Sequence, residues 1–190
     1  MTSSLNINFH KTALVLIDLQ KGIVAMPGGD EVVEKSVKLV ERFRKKGGFI
    51  AFVKVDFHDG KDSLKPVIDN QTSGSTMEKP KDWAVLDPRL NVMDNDYVVT
   101  KRQWGAFFGT DLDIQLRRRE IDTIVLCGIA TNIGVESTAR EAFQYGYNQI
   151  FITDAMTTFS PEEHDMSVRY IFPRIGQLGT TEQFLEQVNK

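Results

Sequence analysis

The chain has 190 residues, of which 41% are hydrophobic and 26% charged, the composition of a folded globular protein rather than a disordered one. Its 23 basic and 26 acidic side chains leave a net charge of −3, which gives no reason to expect a nucleic-acid partner or a basic membrane-binding surface. The single cysteine, Cys127, excludes an intramolecular disulfide framework and a multi-thiolate metal site. No apolar run approaches the ~20 residues that cross a bilayer, and the N-terminus does not resemble a signal peptide, so we expect a cytoplasmic protein.

The first part of the chain predicts a strand, a helix and a second strand. Thr12–Leu19 is a nearly unbroken apolar run, which is typical of a strand covered on both faces in a parallel sheet. Asp30–Lys46 follows, with apolar residues at spacings of three and four that define one face of a helix. We expect Asp30 to cap this helix and Gly47 to end it. Phe49–Val55 is the next predicted strand.

Strands and helices alternate again after residue 96. The predicted elements are a strand at Tyr97–Lys101, a helix at Asp111–Glu120, a strand at Thr123–Cys127, a helix at Thr131–Tyr145, a strand at Gln149–Thr153, a helix from Pro161 and an amphipathic segment at Thr181–Val188. This alternation predicts a doubly wound, three-layer α/β domain whose parallel sheet is covered by helices on both faces. Residues 56–96 break the pattern, and a connection of that length is usually a functional lid or crossover. We predict that residues 1–190 form a single domain.

Two charged residues end predicted strands, at the edge where open parallel sheets bind their ligands. Asp18 lies at the end of the first strand inside an apolar run, where burial would raise its pKa and suit it to general-acid catalysis. The alternative is that Asp18 caps the following turn. Lys101 ends the third strand before an aromatic turn that contains glycine, and it either points into a pocket or lies in solvent.

A third polar feature is the turn from Cys127 to Gly134, which joins an apolar strand to a helix. Unpaired N–H groups at the start of a helix can hold a carboxylate or a developing oxyanion. Gly134 would leave space above these donors, or it serves only the close packing of helix against sheet.

Three segments of the sequence together resemble the signature of the isochorismatase-like hydrolases. They are L-I-D-L-Q, K-R-Q-W-G-A-F-F-G-T-D-L and C-G-I-A-T-N-I-G-V-E-S-T-A-R, and the similarity runs over nearly the whole chain. The resemblance implies a Rossmann-like fold with a six-stranded parallel sheet, a small-molecule substrate and a homodimer or larger homo-oligomer. It also implies a catalytic site of Asp18, Lys101 and Gly134, with a cis peptide bond between Ile129 and Ala130.

One departure from the family pattern bears on the chemistry. Nicotinamidases and related amidases carry a nucleophilic cysteine at the position of Gly134, and glycine cannot form a covalent acyl-enzyme. Cys127 lies seven residues earlier, at the end of a strand. The resemblance therefore points to a branch of the family without the nucleophilic cysteine, and an amidase that uses Cys127 is the alternative.

The metal site of the nicotinamidases is also incomplete in this sequence. Asp56 and His58 resemble its D-x-H part, but no further histidine follows before His164. Catalytic zinc sites normally use three protein ligands, so a polar pair at the end of a strand is the simpler interpretation. We predict no metal and no cofactor.

True isochorismatases also lack the cysteine, and they cleave a vinyl ether instead of an amide. The resemblance implies that Asp18 protonates the enol carbon while Lys101 balances its charge and orients it. The N–H groups around Ala130 and Gly134 would bind a substrate carboxylate or water.

The predicted function is hydrolysis of a small carboxylated metabolite, with a non-catalytic ligand-binding protein of the same family as a further alternative. Two aromatic side chains are predicted to form an apolar wall of the site, although ordinary core or subunit packing would explain them equally. The predicted substrate-binding residues are Ile129, Ala130, Ile133, Trp104 and Phe107.

Overall fold

The computed structural model describes residues 7–69 and 79–188. Within these ranges the strands are β1 (Thr12–Ile17), β2 (Phe49–Val55), β3 (Tyr97–Lys101), β4 (Thr123–Ile129), β5 (Asn148–Thr157) and β6 (Gln177–Gly179). They form one six-stranded sheet in the order β3-β2-β1-β4-β5-β6, and every neighbouring pair is parallel. The predicted parallel α/β architecture is confirmed.

Strand β1 lies at the centre of the sheet, between β2 and β4. All six of its residues are buried, because helices cover both faces of the sheet. A strand in this position needs side chains that tolerate burial at every residue, not only at alternate ones. The unbroken apolar run that predicts this strand reflects that requirement.

Helices cover the two faces of the sheet and enclose two separate cores. Their bounds are α1 (Lys21–Val24), α2 (Gly29–Lys46), α3 (Leu112–Arg118), α4 (Glu136–Gln144), α5 (Pro161–Met166), α6 (Phe172–Ile175) and α7 (Thr181–Gln187), with π-helical turns at Thr131–Val135 and Ser167–Ile171 and 3-10 turns at Phe9–Lys11 and Pro88–Leu90. One core includes Leu116 of α3 and Phe172 of α6. The other includes Phe43 of α2 and Phe184 of α7. None of the helices in the described ranges has both the length and the apolar character that crossing a bilayer requires.

The prediction for helix α2 is wrong at its start and confirmed at its end. The expected cap at Asp30 is wrong, because α2 begins at Gly29 after Gly28, whose φ of 79° turns the chain into the helix. The Asp30 carboxylate instead accepts a hydrogen bond from Arg89 at 2.9 Å. Gly47 ends the helix as predicted, with a left-handed φ of 69° and its N–H bonded to the last turn.

Several strand bounds extend beyond the apolar runs in the sequence. Strand β5 continues past Thr153 to Thr157, because its pairing with β4 shifts register after Leu126 and resumes at Gly128. The three-residue strand β6 and the single-turn helix α1 are not among the elements predicted from the sequence. The connection at residues 56–96 includes Leu86, which pairs with Gln20 in an isolated antiparallel bridge, while residues 70–78 lie outside the described ranges.

Candidate active site

An ion pair between Asp18 and Lys101 lies at the carboxyl ends of the central strand β1 and the edge strand β3. Asp18 directly follows β1 with a left-handed φ of 53°, and its N–H donates to the carbonyl of Val53 at 2.9 Å. Lys101 is the last residue of β3, and its Nζ lies 2.7 Å from Asp18 Oδ2. The two side chains are only 7% and 1% exposed. Lys101 therefore points into the protein and not into solvent.

The surroundings of Asp18 make it a weaker acid than a solvent-exposed aspartate. Burial raises the pKa of Asp18 to about 6, although the charge and the hydrogen bond of Lys101 act in the opposite direction. Lys101 Nζ also donates to the carbonyl of Trp104 at 2.6 Å, which fixes the ammonium from a second side. The other carboxyl oxygen, Asp18 Oδ1, is buried and has no hydrogen-bond partner among the described residues.

Gly134 lies directly beside this ion pair. It belongs to the π-helical turn between β4 and α4, and a Cβ added to it would lie 3.1 Å from Asp18 Oδ2 and 3.3 Å from Lys101 Nζ. The same Cβ would lie 3.0 Å from a methyl group of Ile17. The structure thus brings the three predicted residues Asp18, Lys101 and Gly134 together.

The turn that carries Gly134 follows a point where strands β1 and β4 approach each other closely. Gly128 has a φ of 122°, and a Cβ there would lie 2.2 Å from the carbonyl oxygen of Ile17, so only glycine fits. The peptide bond between Ile129 and Ala130 is cis. The N–H groups of Ile133 and Val135 both donate to the Ala130 carbonyl at 3.1 Å, so those two donors are not free for a ligand.

A cavity of about 450 Å³ opens at this edge of the sheet. Seven of the eight predicted site residues line it: Asp18, Lys101, Gly134, Ile129, Ala130, Ile133 and Trp104. Phe107 does not, and its assignment to the apolar wall is wrong. It is 4% exposed and packs in the core, with its ring 5.4 Å from that of Tyr145 and 5.7 Å from that of Tyr147.

Part of the cavity wall comes from the long connection between β2 and β3, in which no binding residue is predicted from the sequence. Trp83 and Lys79 line the cavity, and Lys79 Nζ lies 3.8 Å from the centre of the Trp83 ring. Gly22 leaves room for this ring, because a Cβ there would lie 1.8 Å from it. The length of the connection indicates a functional segment, but nothing in its sequence singles out Trp83.

Gln20 holds this wall against the sheet. Its side chain is fully buried, accepts from the N–H of Val55 at 2.9 Å and donates to the Val55 carbonyl at 3.1 Å. The same amide nitrogen lies 3.3 Å from the carbonyl of Trp83. Gln20 therefore satisfies the backbone N–H and carbonyl of Val55 at the end of β2, where β1 no longer pairs with it. It also fixes residues 83–86 beside the cavity.

The lone thiol lies away from the cavity. Cys127 is fully buried in the core, its Sγ lies 3.8 Å from Ser36 Oγ on α2, and it is not among the lining residues. Burial raises its pKa to about 12, so the thiolate is scarce at neutral pH.

The residues that resemble a metal site do not fit a metal. The Asp56 carboxylate accepts from the N–H of Phe57 and pairs with Lys54, and His58 lies in an exposed turn. His164 contacts Thr131 Oγ1 at 2.9 Å through Nδ1. Within residues 7–69 and 79–188, no cluster of three or more His, Cys, Asp or Glu side chains could hold a metal ion.

A family model described as an isochorismatase domain matches residues 12–183, which is most of the chain. The chain belongs to the isochorismatase family. It is 68% identical over 188 residues to the uncharacterized isochorismatase family protein YwoC of Bacillus subtilis strain 168, covering 99% of this chain and 100% of that relative.

Two further relatives support the assignment. The uncharacterized isochorismatase family protein YecD of Escherichia coli O157:H7 is 45% identical over 186 residues, covering 95% of this chain and 98% of the relative. A solved isochorismatase family protein from Burkholderia thailandensis has 43% identity and a TM-score of 0.91, covering 99% of this chain and 100% of that structure. This chain is therefore an isochorismatase-family hydrolase.

Proposed function

We propose that this isochorismatase-family protein hydrolyses the vinyl ether bond of a small carboxylated metabolite, with Asp18 as the general acid and no covalent intermediate. The observation that carries the proposal is the carboxyl group of Asp18. One of its oxygens is held by Lys101, and the other is buried without a partner in the described residues. A buried oxygen of this kind at a cavity wall is available to a ligand.

The proton balance of the reaction follows from this group. The Asp18 carboxyl donates its proton to the terminal carbon of the enol ether, and the carbon bonded to oxygen becomes an oxocarbenium ion. Water adds to that carbon and returns a proton to the Asp18 carboxylate, and the hemiketal then separates into a 2-oxo acid and an alcohol. With a pKa of about 6, about a tenth of Asp18 is protonated at pH 7, as a general acid requires.

Lys101 supports the step without exchanging a proton. Once Asp18 has donated its proton, the carboxylate lies 2.7 Å from the ammonium, which stabilises the new negative charge in a buried setting. The Trp104 carbonyl keeps the ammonium in place at 2.6 Å, so little reorganisation accompanies the change in charge.

The charges around the cavity support a carboxylated substrate. Among the described residues that line it, three are basic, namely Lys79, Lys101 and Arg102, and one is acidic, Asp18. Much of the remaining lining is apolar. An excess of positive charge in a largely apolar cleft favours small organic anions.

The cysteine-dependent amidase is the weaker candidate. A nucleophilic thiol needs access to the substrate and a lowered pKa, whereas Cys127 is fully buried with its pKa raised to about 12. At position 134 the chain has glycine, whose missing side chain lets the turn lie close against the ion pair of Asp18 and Lys101. Both observations support a branch of the family without the nucleophilic cysteine.

The test is hydrolysis of isochorismate by the purified protein and by Asp18→Asn. We expect kcat/KM to fall by roughly 10²–10⁴-fold in the variant, the range typical of a lost general acid. In the wild type kcat/KM should fall about tenfold for each pH unit above the Asp18 pKa of about 6, because the acid must be protonated.

Asp154→Asn is the matched control, since Asp154 also pairs with a lysine, Lys35 at 3.4 Å, away from the cavity. Equal turnover by wild type and Asp18→Asn would remove the acid role. Binding of isochorismate by the wild type without turnover would instead favour the non-catalytic ligand-binding alternative.

A further inference from the structure

The side chain of Thr138 joins two segments of the active site that are far apart in sequence. Thr138 is on α4 and is fully buried. Its hydroxyl donates to the carbonyl of Gly134 at 2.7 Å and accepts from the N–H of Ala106 at 3.1 Å. Thr138 is not among the described residues that line the cavity, so it does not reach the substrate itself.

The first bond is ordinary for a threonine in a helix, and the second is not. Ser and Thr hydroxyls commonly donate to the carbonyl four residues earlier on their own helix, as Thr138 does to Gly134. Accepting from Ala106 connects the helix to the loop that follows β3, 32 residues earlier in the chain. This second bond is the one that needs an explanation.

The loop that Thr138 holds also fixes the ammonium of the ion pair. Lys101 Nζ donates to the Trp104 carbonyl at 2.6 Å, and Trp104 lies two residues before Ala106. The next amide, the N–H of Phe107, donates to Glu141 Oε2 at 2.9 Å. Helix α4 therefore holds two consecutive amides of this loop.

The sequence of the loop permits this close approach. A Cβ on Gly105 would lie 2.3 Å from an oxygen of the Glu141 carboxylate. A larger residue there would displace the end of the Glu141 side chain and disturb its hydrogen bond to the N–H of Phe107. Glycine at position 105 thus lets the Glu141 carboxylate lie against the loop.

We propose that Thr138 is a positioning residue of the active site, whose one hydroxyl fixes the Trp104 carbonyl and the Lys101 ammonium relative to Gly134 and Asp18. The inference rests on the proposed function insofar as Asp18 is the acid. It adds that the geometry of the ion pair is set from α4 through backbone atoms, at a residue that the substrate does not touch.

The proposal can be tested through the pKa of Asp18, because this pKa depends on the charged groups around the carboxyl. Lys101 is the charged side chain that acts on the Asp18 carboxyl, while Lys79 and Arg102 line the same cavity and Glu141 contacts the loop from α4. If the loop loosens, the ammonium stabilises the Asp18 carboxylate less, and the pKa of Asp18 rises.

The experiment measures the pKa of Asp18 by carbon-13 NMR of aspartate-labelled protein, with Asp18→Asn used to assign the resonance. We expect Thr138→Val, which keeps the branched shape and removes the hydroxyl, to raise this pKa by about one pH unit. Thr138→Ser keeps the hydroxyl and should stay close to the wild type. An unchanged or lower pKa in Thr138→Val, or an equal rise in Thr138→Ser, would overturn the proposal.

Thr181→Val controls for a general loss of stability. Thr181 is also a buried threonine at a helix, and its hydroxyl donates to Asp154 at 3.0 Å outside the cavity. We expect this variant to lower the melting temperature and to leave the Asp18 pKa unchanged. A shift as large as that of Thr138→Val would reduce Thr138 to a structural role.

A second pair of variants covers the case in which Thr138→Val does not fold. Glu141→Ala and Glu141→Gln remove the same charge, but only glutamine keeps an oxygen that can accept from Phe107. We expect the pKa of Asp18 to be higher in Glu141→Ala than in Glu141→Gln, and equal values would contradict the role of the loop.

The NMR titration needs no turnover, so the two proposals fail separately. A wild type that does not hydrolyse isochorismate removes the proposed function while the comparison of Asp18 pKa values still decides the role of Thr138. In a wild type that does turn over isochorismate, Thr138→Val should lower kcat several-fold with KM little changed, and Thr138→Ser should restore it.

Discussion

Asp18 directly follows β1 and Cys127 lies on the neighbouring strand β4, and burial raises the pKa of both side chains. The chemical consequences are opposite. A raised pKa lets a carboxylic acid keep its proton near neutral pH and donate it, whereas it deprives a thiol of the thiolate it needs to attack. Location adds to the contrast, because Asp18 leaves the strand into a cavity beside Lys101, while Cys127 lies inside the core against Ser36. Burial alone therefore does not make a reactive site.

The largest expected effect comes from removing the charge that distinguishes the Asp18 site. Lys101→Met keeps most of the length of the side chain without the ammonium. We expect kcat/KM for isochorismate to fall by roughly 10²–10³-fold, because the carboxylate left after proton transfer loses its counter-charge. The pH above which activity declines should also rise, since Lys101 lowers the pKa of Asp18.

Lys35→Met is the matched control for this loss of charge. Lys35 pairs with Asp154 at 3.4 Å, and neither residue lines the cavity. Its activity should match the wild type. If Lys101→Met retained activity within a few-fold of the wild type, the pairing of acid and ammonium would not be what makes Asp18 reactive and Cys127 inert.

An intermediate effect is expected from adding a methyl group at Gly134, beside the ion pair. The Cβ of Gly134→Ala would lie 3.0–3.3 Å from Ile17, Asp18 and Lys101, so these neighbours must shift by a few tenths of an ångström. We expect the fold to persist and kcat/KM to fall about tenfold, because small displacements of catalytic groups are costly. Steady-state kinetics with isochorismate measure this.

Gly179→Ala is the corresponding control at the far edge of the sheet. A Cβ there meets one neighbouring side-chain atom at 3.8 Å, an ordinary contact. This variant should keep its activity. Full activity in Gly134→Ala would mean that the close approach of this turn to Asp18 and Lys101 does not matter for the reaction.

The smallest effect on activity is expected at the thiol. Cys127→Ala should leave kcat/KM within about twofold of the wild type and lower the free energy of unfolding by about 1 kcal/mol, through a small cavity in the core. Denaturant unfolding and isochorismate kinetics measure the two quantities. Loss of activity in a well-folded Cys127→Ala would mean that Cys127 takes part in the reaction, and it would favour the amidase alternative.

Strands of this fold could be predicted where burial and strand propensity show in the types of residue. The bounds of β2 and β3 agree with the predictions residue for residue. A nearly continuous apolar run marks β2, whereas the edge strand β3 is partly exposed and is marked by the β-branched residues Val98, Val99 and Thr100. Strand β6 has three residues and no apolar run, so its pairing with β5 has no local signal. The extension of β5 depends on a register shift against β4, which is a property of two strands together.

The candidate site was predictable where strand ends and family motifs coincide, as at Asp18, Lys101 and Gly134. Phe107 was misassigned because an aromatic residue three positions after Trp104 gives the same sequence pattern whether its side chain faces the cavity or the core. The hydroxyl of Thr138 has no signal in the sequence, since its partner Ala106 contributes only a backbone amide. Contacts made through the backbone are invisible in a pattern of side chains.

The side chain of Gln20 has a consequence for selectivity. Where β1 leaves the sheet, an amide side chain replaces the missing strand and saturates both backbone groups of Val55 at the cavity floor. An incoming molecule therefore meets few competing main-chain donors or acceptors there. Among the described lining residues, Asp18 has a carboxyl oxygen without a partner and Lys79, Lys101 and Arg102 are cationic. We therefore expect discrimination among metabolites to depend on where they place their negative charge.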